Sequence, residues 1–544
     1  MTARSAPPRS AFSSGLHQIV PGMRALAAAL LIVVSATTLR ADDYLNRVNA
    51  AFKGIADAKR SDLVLLPLLA KMDEAPAELR DTEFAMLVTP SHPAWETILA
   101  WASAEPQKAL LNALKNVTNE EDFRTAMVFA QGYGVEAVSS HPELIAANMY
   151  TELGDPPTLA AARHGYLPAL SKLEILSHID ATRLLSAGDA KGAIESLFNF
   201  MYFTRQMCDR PFLTEKQWAM TALRSSLTRL RDLAYQDSRS ETKSLTYTDI
   251  RDWVRRIDPE RGYLSIERIR LPEASFIAAE QLVTRVVPKG GGFSAGEFST
   301  TLAKIAAADR PLRLLSESAR WQRAHREHSD YWQSMDTLMG PKGDGGVRSD
   351  WLRRWDLGTF DPLLRRPSEY STKVAKAPKF AVLQLPLNGV DELFALRMSI
   401  RAELAGTRVG LSIYGYSLQS NGSWPRDITA IRPFYMDKVD LDPYNSRSQN
   451  RLEFFVPVRD RPAQGTRGEE IPFEVRVFLV TNRKNFSLKL RADTFVLYSV
   501  GPNESDDLGK DATQDDTSGE GDYLMWPPAL SLVRKYLADS GQQP

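Results

Sequence analysis

Between Asp42 and about Leu364 the apolar residues recur at steps of three and four, and this periodicity constrains the fold more than any other feature of the chain. It is the pattern of amphipathic helices, each burying one stripe against a neighbour. Leu223, Leu227, Leu230 and Leu233 form one stripe; Ile250, Trp253, Val254 and Ile257 form another. Breaks fall where helices should stop, at Asp155-Pro156-Pro157, Asp209-Arg210-Pro211, Asp258-Pro259 and the glycine runs 290–292 and 340–346. Thr248, shortly before Ile250, is expected to cap a helix. Residues 42–370 are therefore expected to form an array of packed helical hairpins, suited to protein–protein contact.

Residues 1–41 hold four arginines, no Asp or Glu, and an apolar run from Ala25 to Leu39. A basic leader, an apolar core and a small residue at Ala41 are the parts of a secretory signal, with cleavage expected before Asp42. Met23-Arg24 would serve equally well as a start. A bilayer core takes about 20 apolar residues, so the alternative is a signal-anchor that holds the protein to the inner membrane through residues 25–39. Either way the expected location is the periplasm, cell envelope or exterior. One cysteine excludes an internal disulfide and Cys-cluster zinc or iron–sulfur sites. Cys208, with no His or Lys beside it, is expected to be a buried apolar residue.

Three patterns in the helical part resemble chemical motifs. Gly292-Phe293-Ser294-Ala295-Gly296 matches the elbow that exposes a serine nucleophile, which gives a serine hydrolase using Ser294 as an alternative function. The elbow needs an apolar strand ahead of it, and Pro288-Lys289-Gly290-Gly291 stands there instead. His325 and His328 lie three apart, not at the i, i+4 spacing with an intervening base that zinc enzymes use. Residues 347–366 interleave Arg348, Arg353, Arg354, Arg365 and Arg366 with Trp351 and Trp355. That mixture suits either a surface for an anionic partner or a packing helix whose arginine stems cover apolar surface. Leu184–Ile194 resembles the turn of tetratricopeptide-type hairpins, in one copy only.

Past Pro378 the texture changes. Residues 371–390 read as a linker with short strands. Leu393, Leu396, Ile400, Leu404, Leu411, Tyr414 and Leu418 keep a helical register over 391–418, although Gly406, Gly410 and Gly415 each cost about 1 kcal/mol relative to Ala. Strands are expected at Leu452–Pro457, Phe473–Leu479, Phe486–Leu490 and Phe495–Val500, making a small antiparallel sheet beside the helix. The order of a helix ending near Tyr416, Gly422-Ser423-Trp424-Pro425, Asp442-Pro443-Tyr444 and Ser499-Val500-Gly501-Pro502-Asn503 resembles the globular part of type II secretion major pseudopilins. It also resembles the tails of large bacterial envelope proteins that carry a long helical region in front. The resemblance covers about residues 391–526, with the α+β unit placed at 391–502. It lacks the pseudopilin's hydrophobic N-terminal helix, so a filament subunit is not implied.

Residues 503–522 carry eight acids against Lys510, a net −7. The pseudopilin resemblance implies calcium there, with Asn503 and Asp522 as candidate ligands and Asp506 and Asp507 added by proximity. A solvated acidic excursion is the other reading. Residues 523–544 are expected to form a tail with a short helix. The 67 basic and 67 acidic residues cancel only because residues 1–41 contribute four arginines. Without them 63 stand against 67, and a broad basic field for nucleic acid is absent. The expected fold is mainly α with a small α+β pseudopilin-like domain. The expected function is an exported, non-enzymatic envelope scaffold with envelope proteins as partners and no nucleic acid. The alternative within this class is a membrane-anchored, secretion-system-associated component.

Overall fold

The computed structural model describes residues 43–118, 127–260, 264–287, 289–290, 323, 326–446, 451–460, 472–479, 484–513 and 521–542. Among these the chain is mainly helical. Helices α1 (Leu167–Ser186) and α2 (Ala190–Met207) form the hairpin expected at 184–194. Gly188 takes φ +83 in the turn, where a side chain would be strained, and the Asp189 carboxylate accepts the Gly192 N–H at 2.7 Å to start α2.

Helix α3 (Leu213–Arg239) follows Pro211 and packs on α2. Its stripe of Leu223, Leu227, Leu230 and Leu233 is buried, as are all four members of the second stripe around α4 (Tyr247–Arg256). The cap of α4 is Thr246, not Thr248. Thr246 accepts the Asp249 N–H at 3.2 Å while the Asp249 carboxylate accepts the Thr246 N–H at 3.2 Å, so the reciprocal box fixes the start two residues earlier. Helix α5 (Glu273–Val286) and helix α6 (Gly346–Asp356) follow.

Residues 371–390 are helical, against the expectation of a linker with strands. A π turn at Tyr370–Val374, a 3-10 turn at Pro378–Phe380 and helix α7 (Ala381–Leu387) fill the segment, with Val374, Phe380, Leu383 and Leu387 buried. The Gln384 side chain donates to the Val374 and Ala377 carbonyls and ties the turns together.

Helix α8 (Val390–Gln419) bears out the helical reading of 391–418. It lies between α3 and α4 on one side and the sheet on the other. Its glycines are points of close approach: a Cβ on Gly415 would stand 2.6 Å from the Tyr435 ring.

The sheet has six strands: β1 (Glu453–Phe455), β2 (Phe473–Leu479), β3 (Lys484–Leu490), β4 (Val496–Ser499), β5 (Asp511–Thr513) and β6 (Asp522–Trp526). Their order is β1-β4-β6-β5-β2-β3. The first four strands are those expected. The other two arise from the acidic segment and its exit, and β5 runs parallel to both β2 and β6, so the sheet is mixed. Helix α9 (Ala529–Asp539) closes the chain against α3 and the sheet. One apolar cluster runs from Leu65 through α1–α8 to Trp526, so the helical part and the α+β part share a core.

Candidate functional site

Of the residues expected around calcium, Asp506 and Asp522 tie the acidic segment to the sheet. Asp522 opens β6, and its two carboxylate oxygens accept the Asp507 N–H at 3.1 Å and the Gly509 N–H at 2.7 Å. One Asp506 oxygen accepts from the Tyr498 hydroxyl at 2.9 Å and the Leu508 N–H at 2.8 Å, and the Asn503 side-chain oxygen accepts from Ser505 N–H at 3.0 Å. Asp506, Asp507 and Asp522 do come together. Among the described residues no three His, Cys, Asp or Glu are grouped to hold a metal. Residues 514–520 lie outside the described residues.

The Asp442-Pro443-Tyr444 and Ser499-Val500-Gly501 motifs also meet. Buried Asp442 accepts the Ser499 hydroxyl at 2.7 Å, the Val500 N–H at 3.1 Å and the Tyr444 N–H at 3.0 Å. Burial pushes this carboxyl up to about 6, against those hydrogen bonds. Ser294 and His325 lie outside the described residues. Cys208 is buried, which pushes its thiol up to about 12 and leaves it unreactive at neutral pH.

The tryptophans of residues 347–366 are packing anchors. Trp351 is fully buried and donates its ring N–H to Asp391 at 2.6 Å; Trp355 donates to the Ile269 carbonyl at 2.7 Å. Beside them lies a cleft of about 420 Å³ that includes Arg354, Arg365, Arg366, Arg397 and Arg401 in its lining. Most of that charge is spent locally. Arg354 pairs with Asp350, Arg397 and Arg401 share Glu267, and Arg365 reaches Glu504 at 3.1 Å.

A second groove, about 540 Å³, is more strongly charged. Its walls are the last turns of α3, the end of β3 and the first turns of α9. Five cations, Arg239, Lys489, Arg491, Arg534 and Lys535, line it with one acid, Asp493. Arg534 is a fixed post. It donates to the buried Asp232 carboxylate at 2.8 and 2.7 Å and to the Leu87 carbonyl at 3.1 Å. Burial opposes charge on Asp232, but the guanidinium groups of Arg534 and Arg229 override it and hold the carboxyl at about 2. Arg239 pairs with Asp493 at 2.7 Å and Lys535 with Asp539 at 2.9 Å. Among the described residues no carboxylate pairs with Lys489 or Arg491. Leu488, Leu490, Leu532 and Tyr235 give the groove an apolar component, and Ser240 and Thr494 add hydroxyls.

A neighbouring cavity of about 270 Å³ shares Gln236, Ser240 and Arg534 and continues the groove towards Thr89 and Pro90, with Arg229 in its wall. The groove therefore offers cations at its rim beside apolar surface, which suits a carboxylate-bearing segment with apolar side chains. Sequence reasoning did not single it out. Its charges come from positions 239, 489–491 and 534–535, and only Leu488-Lys489-Leu490-Arg491, an alternating strand with a cationic face, leaves a local signal.

Comparison of the chain with protein-family models, with curated proteins and with solved structures gives no match.

Proposed function

We propose that this chain is an exported, non-enzymatic scaffold of the bacterial envelope. Its helical layer and pseudopilin-like α+β part act as one platform, and the groove between α3, β3 and α9 binds an acidic segment of an envelope protein. The observation that carries the binding reading is that Lys489 and Arg491, which have no carboxylate partner among the described residues, line that groove beside Leu488, Leu490 and Leu532. Charge of one sign concentrated beside apolar surface speeds encounter with an opposite partner and selects against partners of the same sign.

The leader's arginines and apolar run support export, and the ordered motifs at 422–425, 442–444 and 499–503 support the pseudopilin-like reading. Titration of the purified chain with fluorescein-labelled polyglutamate tests the groove. Saturable binding that is lost in K489E/R491E supports it, and no binding overturns it. Fractionation of expressing cells with N-terminal sequencing tests export. A mature chain beginning at Asp42 supports it, and an intact leader in the membrane fraction shifts the reading to an anchored, secretion-system-associated component.

A further inference from the structure

We infer that the groove receives its acidic partner as an added β-strand on the free edge of β3. This rests on the reading of the groove as an acidic-partner site and specifies the partner's conformation. Four consecutive residues, Leu488, Lys489, Leu490 and Arg491, all line the groove. Side chains of a strand alternate between faces, so a groove over one face would be lined by every second residue. Leu488 and Leu490 pack towards the apolar cluster that includes Leu532 and Val533 of α9, whereas Lys489 and Arg491 are exposed. Only a groove running along the edge meets both sets.

β3 is that edge. It ends the sheet order and pairs with β2 alone, from Lys484 opposite Leu479 to Leu490 opposite Phe473. Every second residue of an edge strand turns its N–H and C=O away from its one neighbour. Among the described residues no other backbone group bonds to β3. An edge with these groups open is a template for a further strand.

Charge selects the occupant. A second copy meeting this edge would bring Lys489 and Arg491 against their own equivalents, which repel. An extended segment with alternating acidic and apolar residues places its carboxylates by Lys489 and Arg491 and its apolar side chains by Leu488, Leu490 and Leu532.

The test uses the full chain and three labelled peptides: alternating Val and Glu over eight residues; the same with Lys for Glu; and the Val–Glu peptide with one internal Val and the Glu beside it replaced by Pro and one Glu added at an end, which keeps the charge but removes an edge-facing N–H whichever way the strand runs. The expected result is saturable binding of the Val–Glu peptide, at least tenfold weaker binding of the proline peptide, and no binding of the lysine peptide. K489E/R491E, with circular dichroism unchanged because both sites are exposed, loses the Val–Glu peptide. Equal binding of the proline peptide overturns strand addition while leaving an acidic-partner site. Failure of both acidic peptides and of polyglutamate overturns the site itself. Binding of phosphatidylglycerol vesicles but of neither acidic peptide overturns the inference in favour of a membrane surface.

Discussion

The Arg231 guanidinium on α3 and the Glu403 carboxylate on α8 form a fully buried ion pair that joins the helical layer to the sheet. Arg231 also donates to the Thr407 hydroxyl at 2.7 Å and the Met525 carbonyl at 3.1 Å, and Glu403 also accepts from the Tyr523 hydroxyl and from Thr228 at 2.8 Å. Two helices and β6 are thus tied at one point in the shared core.

Removing one member of a buried pair leaves the other charge uncompensated, which costs about 3–5 kcal/mol. E403A is therefore expected to lower the denaturant midpoint by that equivalent. Wild-type protein should lose tryptophan fluorescence and helical circular dichroism in one coincident transition, because the helices and the sheet share a core. Two separated transitions would show that the α+β part is an independent domain.

Close approach at the α8 glycines gives a second expectation. Alanine in a helix interior gains about 1 kcal/mol over glycine, but overpacking costs about 1–3 kcal/mol. At Gly415 the new Cβ would press on the rigid Tyr435 ring, 2.6 Å from its Cε1 and 2.8 Å from its hydroxyl. At Gly406 it meets the flexible Met525 side chain, with Cγ at 2.6 Å. G415A is expected to lower thermal stability and G406A to change it less. A more stable G415A would contradict this packing.

Stability should also depend on Glu174. Burial pushes this carboxyl up from an ordinary 4.5 to about 7, with a hydrogen bond to Thr82 opposing. Between those values the folded chain holds a proton that the unfolded chain has lost, so stability falls as pH rises from about 4.5 to 7. The loss is on the order of 3 kcal/mol, at about 1.4 kcal/mol per pH unit. Asp440 and Asp442, both pushed up to about 6 chiefly by burial, act in the same direction. The difference between wild type and E174Q isolates Glu174: their stabilities should diverge across this window, with E174Q the flatter. Parallel pH profiles would remove this role.

The helical architecture was legible because each stripe repeats over several turns. The Leu223–Leu233 and Ile250–Ile257 stripes and the 390–419 helix all stand where the periodicity put them. Residues 371–390 were not, since Pro378, Pro386 and Gly389 read locally as linker punctuation while burial of Phe380, Leu383 and Leu387 makes them helical turns. β6 was hidden for a related reason. Asp522–Trp526 is a five-residue, wholly buried strand with no alternation, followed at once by Pro527-Pro528. The acidic residues were legible as a cluster, but the tie from the Asp522 carboxylate to the Gly509 N–H depends on tertiary placement. The basic groove was not legible, because α3, β3 and α9 contribute its cations from distant parts of the chain.

The most direct measurement of the central claim is the affinity of the full-length protein for labelled polyglutamate at low and high salt, in wild type and K489E/R491E. Saturable binding to wild type is expected at low salt, weakening as screening shortens the reach of exposed charges, with at least tenfold weaker binding to the variant. No binding to wild type, or equal binding to both proteins, would contradict it.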